Sequence, residues 1–315
     1  MNRGRLLLHM LTLLAVAATA FLVFVGGMVT STGSGLSVPD WPLSFGTLNP
    51  PMVGGVYYEH GHRLIAGGVA LLTALVAFTA WRVEPRAAVR RLAAAALALV
   101  LTQAVLGGLT VLFLLPTAVS VAHAGTANLF FAILVVLAWL TSPTCVQRPA
   151  AAGIPAPAGL GWNVLALAIY GQMLLGALMR HTGAGLAIPD FPLAFGRLVP
   201  PLDTWPIAIH FAHRIGAVVV VLVALPVLGR SMRASARAPR LLGPTATLTI
   251  ILPFQAALGA LTVWTGKAPV LTSLHVVGGT LCLGAAVWGA LAARHGEASS
   301  GVASVDRSQR LRGAA

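Results

Sequence analysis

The chain has 315 residues, of which 57% are hydrophobic and 9% are charged, and its mean hydropathy is +0.88. Soluble domains of this length carry far more charge. The composition therefore excludes a soluble globular protein and indicates a chain that crosses a membrane several times. The net charge of +13 is compatible with nucleic-acid binding, but the distribution of the basic residues argues against that partner.

Eight apolar runs follow one another along the chain. Each is long enough to cross the roughly 30 Å hydrocarbon core of a bilayer as a helix. The sequence therefore predicts an all-α membrane protein with eight transmembrane helices. The runs cover residues 6–29, 62–82, 91–114, 118–141, 160–179, 207–229, 241–264 and 270–293.

The basic residues predict the orientation of these helices. If the N-terminus is cytoplasmic, fifteen of the twenty Lys and Arg residues fall on the cytoplasmic side, and only Arg180, Arg197 and Lys267 fall in outer loops. Arg63 and Arg214 belong to a repeated motif described below. The positive-inside rule then predicts that both termini are cytoplasmic. The excess charge serves topology, with membrane lipid and not nucleic acid as its partner.

An internal duplication organises the chain. Residues 33–46 begin with the pattern Gly-x-Gly-Leu-x-x-Pro-Asp-Trp-Pro-Leu, which returns 150 positions later in residues 183–196 with Phe in place of Trp. Histidines follow in the same order, His62 matching His213 and His123 matching His275. Colinear repeats of this length predict two four-helix halves, inserted in the same orientation and related by an axis along the membrane normal.

The first apolar run resembles a secretory signal peptide. Arg3 and Arg5 precede it, and residues 18–20 have the small-x-small pattern of a cleavage site. The fifth run is its internal repeat, so we expect the first helix to be retained.

Composition divides the chain further. A segment rich in Pro, Ala and Gly separates the two halves and is typical of a linker, and the polar C-terminal end is typical of a disordered tail. We expect an N-terminal four-helix bundle over residues 1–145 and a cytoplasmic linker over residues 146–160. A C-terminal four-helix bundle over residues 161–295 and a cytoplasmic tail over residues 296–315 should follow.

The two long outer loops, about residues 30–58 and 180–206, are rich in Pro and Gly. Each carries an aspartate between prolines, Asp40 in the first loop and Asp190 in the second. Two structures fit this pattern: a folded cap over the bundle, or a simple connector in which the aspartate forms an Asx turn.

Ionisable residues open the second apolar run, where the sequence contains Glu59, His60, His62 and Arg63. Such groups are costly in a lipid-spanning helix and mark a functional site by default. Residues three or four positions apart share a helix face, so Glu59, His62 and Arg63 lie together while His60 points away. The repeat has Phe211 at the position of His60, and we therefore expect His60 to play a supporting role.

Each half places two histidines at similar depth on two helices, His62 and His123 in the first half and His213 and His275 in the second. Facing imidazoles suit a metal between helices. Zinc prefers four ligands, usually including thiolate or carboxylate, whereas haem iron is satisfied by two axial imidazoles. The alternative is that each histidine only hydrogen-bonds a neighbouring helix. That explains a single histidine better than a duplicated two-by-two pattern.

Two further features bear on a haem site. Arg63 and Arg214 directly follow the first histidine of each half, at the watery helix end, where guanidinium groups can pair with haem propionates. The halves differ where Glu59 aligns with His210. An electron carrier needs no carboxylate there, but a site that oxidises a substrate carbon can use one. We therefore expect the second half to hold a permanent haem and the first half to process a haem-like substrate.

Over all eight runs the chain resembles the haem A synthase family, the membrane enzymes of cytochrome oxidase assembly. The resemblance rests on the two Gly-x-Gly-Leu-x-x-Pro-Asp-Trp/Phe-Pro loops, on Glu59-x-x-His62-Arg63 and on the three further histidines. It implies an oxidoreductase of the cell membrane that acts on haem O. One ring methyl would be oxidised to a formyl group through an alcohol, with water as the oxygen source, to give haem A.

The resemblance also implies individual roles, with haem iron as the metal at all four histidines. It implies Glu59 as the catalytic carboxylate. It implies that the substrate haem is bound by His62, His123 and Arg63. It implies that a haem b cofactor is bound by His213, His275 and Arg214.

One departure from the family matters. Many bacterial members carry a cysteine pair in the first outer loop, where this chain has Val38 and Ser44, and some carry another where it has Ile188 and Ala194. A thiol relay for electrons therefore cannot operate here. The electron acceptor stays open, with a quinone as one candidate. Haem O synthase, the protohaem farnesyltransferase that makes the substrate, is a candidate partner.

Two other functions remain open on the residues alone. A di-haem cytochrome that only transfers electrons would use all four histidines but would have no use for Glu59. A transporter built on parallel repeats, with histidines as proton relays, would require helix breaks at matching positions. Pro226 and Pro253 are the mid-helix candidates, and they do not correspond to one another.

Overall fold

The structure is a computed structural model that describes residues 2–143, 145 and 157–312. Eight long helices account for most of these residues. In chain order they are α1 (Arg3–Ser31), α2 (Gly55–Val83), α3 (Ala87–Leu112), α4 (Thr117–Thr141), α5 (Pro157–His181), α6 (Trp205–Ser235), α7 (Leu242–Trp264) and α8 (Pro269–Arg312).

Each helix coincides with one of the predicted apolar runs and is long and apolar enough to cross a membrane. The predicted all-α fold with eight membrane-spanning helices is therefore confirmed. Helix α3 ends two residues before its run does, at Leu112, and α7 begins one residue into its run, at Leu242. At the start of α1, the Asn2 side chain accepts a hydrogen bond from the backbone N–H of Arg5 at 3.0 Å.

Helix contacts divide the fold into two rings of four. Helices α1 to α4 contact one another in cyclic order, and α5 to α8 do the same. Each ring has its own apolar core, around Leu8 and Leu134 in the first and around Trp162 and Leu248 in the second. Small residues allow this packing, as where the ring of Trp162 lies directly against Gly289.

The two rings meet through α1 and α4 of the first and α5 and α8 of the second. Polar pairs cross this boundary. The buried Thr280 hydroxyl donates to the Asn128 side chain at 2.8 Å, and the Tyr170 hydroxyl donates to the Gly125 carbonyl at 3.3 Å. Buried hydrogen bonds of this kind fix the register of the two halves, since breaking one leaves an unsatisfied polar group.

The linker and the C-terminal segment differ in part from what the sequence predicted. Most of the predicted linker lies outside the described residues, and α5 begins at Pro157, within the last part of that linker. Helix α8 continues to Arg312, through most of the segment expected to be a disordered tail. Residues 296–312 contain no proline, and Ala, Glu, Gln and Arg among them are good helix formers.

The loops after α1 and α5 share one construction. In each, the aspartate carboxylate accepts two backbone N–H bonds, Asp40 from Phe45 and Gly46, and Asp190 from its two equivalents, all at 2.7–2.8 Å. Phe45 has a positive φ of 54°, which these bonds hold in place. The loops are thus folded caps and not simple connectors. We call the end of the molecule that carries residues 32–54 and 182–204 the capped end.

Candidate functional site

Arg63 connects α2 to the first capping loop. Its Nη1 donates to the carbonyls of Asp40 and Leu43, both at 2.7 Å. Its Nη2 donates to the Val38 carbonyl at 3.3 Å and to the Glu59 carboxylate at 2.6 Å. The guanidinium that was expected to pair with a haem propionate is therefore engaged with the protein's own loop.

Glu59 is buried, with 4% of its surface exposed, at the start of α2. One carboxylate oxygen forms the ion pair with Arg63, and the other accepts the backbone N–H of Val38 at 2.8 Å. A buried carboxylate needs such partners to offset its desolvation. This geometry fixes both the carboxylate and the loop above it.

The second half repeats the anchor with an imidazole in place of the carboxylate. His210 is 3% exposed, and its Nδ1 accepts the backbone N–H of Ile188 at 3.2 Å. Arg214 donates to the carbonyls of Ile188, Asp190 and Leu193 at 2.7–3.2 Å, as Arg63 does in the first half. The two halves thus share the anchoring bond and differ in the charge of the group that makes it.

His60 is buried and lies 2.8 Å, through Nδ1, from the hydroxyl of Ser44 in the loop. The repeat replaces both partners together, with Phe211 for the histidine and Ala194 for the serine. A polar pair in one half is therefore an apolar pair in the other. The contact agrees with the supporting role that the sequence predicted for His60.

In the second half His213 on α6 faces His275 on α8, with ring centroids 6.5 Å apart and ring planes at 80°. A metal–imidazole nitrogen bond is about 2 Å long, and each centroid lies about 1 Å behind its nitrogen. Two imidazoles on opposite sides of one ion therefore place their centroids roughly 6 Å apart. The observed separation fits bis-imidazole ligation of haem iron.

Two glutamines hold these histidines. Gln172 Nε2 donates to the His213 carbonyl at 2.8 Å and lies 3.0 Å from its Nδ1. Gln255 Nε2 donates to the His275 carbonyl at 2.8 Å, and Nδ1 of His275 lies 3.1 Å from the Gln255 backbone carbonyl. A proton on that Nδ1 leaves Nε2 free to ligate a metal.

Every one of the four histidines rests on a glycine of the preceding helix. A Cβ added at that glycine would lie 2.8–3.4 Å from Cε1 of the imidazole. The glycines beneath His62, His123, His213 and His275 are Gly26, Gly107, Gly176 and Gly259, in that order. Each imidazole ring is thus packed directly on a helix backbone, which restricts its orientation.

The first-half pair is held less completely. The buried Nδ1 atoms of His62 and His123 both have no hydrogen-bond partner among the described residues. The position equivalent to Gln172 is Leu22, and Gln103 hydrogen-bonds Thr126 where Gln255 bonds a histidine. This half therefore leaves two imidazole nitrogens unsatisfied.

Within the part of the chain that the structure describes, no three His, Cys, Asp or Glu side chains come together as a metal cage. A tetrahedral zinc site needs such a cluster. Paired imidazoles without further ligands fit iron that is already held by a porphyrin.

A cavity of about 510 Å³ opens between α5 and α6, beside the second-half pair. Gln172 lines it, together with Gly171 and Gly216, and Ile215 and Val219 at its rim are about half exposed on the outer face of the helices. Its volume lies within the range of roughly 300–1,000 Å³ that small-molecule sites occupy.

Four features of the site could not be read from single motifs. Gly26 and Gly176 lie outside the recurring Pro-Asp loops, and Gln172 and Arg180 occur in one half only. The glycines match 150 positions apart, so the duplication itself was the signal that could have found them. The two half-specific side chains leave no such signal.

The fold and site define an integral membrane protein with two paired-histidine sites beneath loops of common design. The chain belongs to the COX15-CtaA family of cytochrome oxidase assembly proteins, whose family model matches residues 9–287.

Individual relatives are similar in sequence to this chain over most of their length. The chain is 33% identical over 261 residues to a heme A synthase of Symbiobacterium thermophilum, covering 81% of this chain and 85% of that one. It is 33% identical over 276 residues to a heme A synthase of Shouchella clausii, covering 85% and 89%. It is 27% identical over 277 residues to a heme A synthase of Bacillus cereus, covering 83% and 86%.

Proposed function

We propose that the chain is a haem A synthase, an integral membrane oxidoreductase that converts haem O to haem A. One observation carries the proposal. The chain has two histidine pairs packed on glycines, and its two halves differ at the residue that anchors the loop, which is Glu59 in the first half and His210 in the second. The relatives named heme A synthase, at 33% identity over most of both chains, support the same activity.

The reaction has two oxidative stages. In the first, a ring methyl and a water molecule give a hydroxymethyl group, two protons and two electrons. In the second, the hydroxymethyl group becomes a formyl group and releases two more protons and two more electrons. The protein must therefore hold the haem O methyl at a fixed place, admit water and pass electrons away one at a time.

The first half is the substrate site in this proposal. His62 and His123 bind the iron of haem O, and the glycines beneath them keep both rings in orientation. Support comes from the buried, unpartnered Nδ1 of His62, because a half that binds haem only during turnover leaves its ring nitrogens without permanent partners.

Glu59 is the catalytic carboxylate of the proposal. Its position, three residues before His62 on the same helix face, directs it toward the iron-binding side of α2. Arg63 and the Val38 N–H hold it in one place, so it offers a fixed negative charge to the cation that develops at the substrate carbon. Arg63 then acts as a positioning residue for Glu59 and the loop.

In the second half, His213 and His275 would hold the iron of haem b. When bound there, haem b would supply one-electron redox chemistry. The chain's own residues prepare the site: Nδ1 of His213 contacts the Gln172 amide, and Nδ1 of His275 contacts the Gln255 backbone carbonyl. His210 anchors the loop without adding a carboxylate. Arg214 fixes the same loop from below.

The electron acceptor in this proposal is a quinone that enters the cavity between α5 and α6. Gln172 has a buried Oε1 without a described partner and also contacts His213, so one amide touches both the cavity and the haem ligand. Quinone takes up two electrons and two protons to give quinol, whose hydroxyl would donate to that oxygen. The first half has Phe21 and Leu22 where the cavity has Gly171 and Gln172.

The topology belongs to the same proposal. The two halves are parallel repeats, both termini are cytoplasmic, and the capped end faces outward. The common construction of the two loops and the concentration of arginines between α2 and α3 and between α6 and α7 support this orientation.

The test is the haem profile of cells that make haem O but lack their own haem A synthase. With this gene, the extracts should contain haem A or its alcohol intermediate, resolved by chromatography, and without the gene they should contain neither. If haem O stays unchanged while the purified protein binds haem b, the chain is a di-haem electron carrier instead.

A further inference from the structure

Arg180 lies in the last turn of α5, at the capped end and at the boundary between the two halves. It follows Gly176, the glycine beneath His213, by four residues. Residues four apart share a helix face, and one turn rises about 6 Å. The guanidinium therefore stands one turn closer to the capped end than the imidazole of the second-half pair.

The contacts of Arg180 join three helices. Its Nη2 donates to the Gly27 carbonyl and to the Ser31 hydroxyl of α1, both at 2.8 Å. Ser31 in turn lies 3.3 Å from the hydroxyl of Ser273, two residues before His275 on α8. A short polar chain thus runs from Arg180 toward the second histidine of that pair.

This cation has no carboxylate partner. The salt bridges among the described residues are Arg63–Glu59 and Arg86–Glu84, and Arg180 is in neither. Its Nε and Nη1 make no hydrogen bond to any residue that the structure describes. A guanidinium has five N–H donors in a planar fork suited to a carboxylate, and an intramembrane arginine without one is costly.

The first half offers no equivalent. Its aligned residue is Thr30, whose hydroxyl donates to the carbonyl of Gly26 within its own helix. Arg180 was therefore not conserved as part of the repeated scaffold.

We propose that Arg180 binds a haem carboxylate at the boundary between the halves. Haem carries two propionates, and the arginines next to the histidines, Arg63 and Arg214, spend their described hydrogen bonds on the loops. Arg214 keeps only its buried Nε without a described partner, because its Nη1 and Nη2 are both bonded to the loop. Arg180 is half-buried, and both its Nε and its Nη1 make no described hydrogen bond. The inference rests on the proposed function for the identity of the haems, and its carboxylate belongs either to the resident haem or to the substrate haem.

The first experiment distinguishes these two sources with Arg180→Gln and Arg180→Lys in the full-length protein. If the carboxylate belongs to the resident haem, Arg180→Gln lowers the midpoint potential of that haem and weakens its retention during purification, and Arg180→Lys restores much of both. If it belongs to the substrate, the resident haem is retained as in the unmodified protein. The KM for haem O then rises about tenfold to a hundredfold, as expected for a lost charged hydrogen bond.

The second experiment begins with the unmodified protein, so its first result does not depend on the folding of a variant. Unmodified protein is offered haem O and its dimethyl ester, in which both carboxylates are blocked, and the preference for the free acid is measured in binding and in turnover. Arg180→Gln should abolish that preference if the substrate is the source. Arg197→Gln is the matched control, because Arg197 is an exposed loop arginine whose side chain has no described partner.

The proposal is overturned if Arg180→Gln matches Arg197→Gln in haem retention and in preference for the free acid, whatever the change in midpoint potential. Arg180 would then only tie α5 to α1. Failure of the proposed function is a different result, in which no haem A forms with any variant. Retention of the resident haem, or binding of the free acid, would still respond to Arg180→Gln.

Discussion

The carboxylate of Glu59 accepts the backbone N–H of Val38 at 2.8 Å, and this bond helps to tie the helix of His62 to the loop that covers it. In the second half the imidazole of His210 accepts the equivalent N–H of Ile188 at 3.2 Å. Evolution of the duplicated chain thus kept the anchor and changed its charge, which allows anchoring and catalysis to be tested separately.

Glu59→His copies the second half into the first. The imidazole can keep the bond to Val38, but the fixed negative charge is lost, so the protein should remain folded and haem A formation should fall by about a hundredfold or more. Glu59→Ala removes both functions and should also lower the melting temperature. Haem A formation by Glu59→His at the unmodified rate would show that the carboxylate only anchors the loop.

The pair Ser44 and His60 predicts a double-mutant result. Ser44→Ala leaves a buried imidazole nitrogen without its partner and should cost about 1–3 kcal/mol of stability. Ser44→Ala combined with His60→Phe recreates the apolar pair of the second half and should recover most of that loss. Thermal unfolding of Ser44→Ala, His60→Phe and the double variant measures the coupling. Additive losses would contradict it, and haem spectra should be the same in all three.

Gly176→Ala tests the glycine beneath His213. The added Cβ would lie 2.8 Å from Cε1 of that ring, so the imidazole must turn, and haem b should be retained about 10–100-fold more weakly. Gly171→Ala is the control on the same helix, because a Cβ there meets nothing within 4 Å. Equal haem content in the two variants, measured after purification, would show that the packing of His213 on Gly176 does not affect haem binding.

Asp40 predicts acid sensitivity of the first loop. Backbone N–H bonds from Gly46 and Phe45 hold the pKa of its carboxyl below the usual value. Its contribution to stability is therefore complete above that usual value, near about 4, and is lost as the pH falls through the lower folded pKa. Asp40→Asn should make residues 32–54 more sensitive to protease at neutral pH, and the difference should shrink in acid.

The control for this prediction is Asp203→Asn, since Asp203 is exposed and has no described partner. A loop equally protected in Asp40→Asn and in Asp203→Asn at neutral pH would contradict the role of Asp40.

Much of the fold could be predicted because membrane helices are specified locally. A run such as residues 118–141 must satisfy its backbone hydrogen bonds as a helix wherever it packs, and α4 occupies Thr117–Thr141. The histidines could be paired because the duplication supplied an internal alignment. His213 and His275 do face one another, and Glu59 was found through its mismatch with His210.

The rest depended on contacts between distant residues. Arg63 and Arg214 have the residue type and the position expected of propionate partners, but the loops fold back over them and accept hydrogen bonds from both. Arg180 follows an apolar helix like any outer-loop arginine, and only the approach of α1 makes it an interface cation. One sequence does not contain the geometry that decides which of these cations stays free.

In this proposal the two histidine pairs bind different haems. The first pair binds the substrate haem, and the second pair binds the resident cofactor. The most direct measurement is the haem content and the reduced-minus-oxidised spectrum of purified His62→Ala and His275→Ala proteins, together with the haems that each produces in cells making haem O. We expect His62→Ala to keep haem b and to make no haem A, and we expect His275→Ala to lose haem b. Equal loss of haem b from both proteins, or a normal haem b spectrum from His275→Ala, would contradict it.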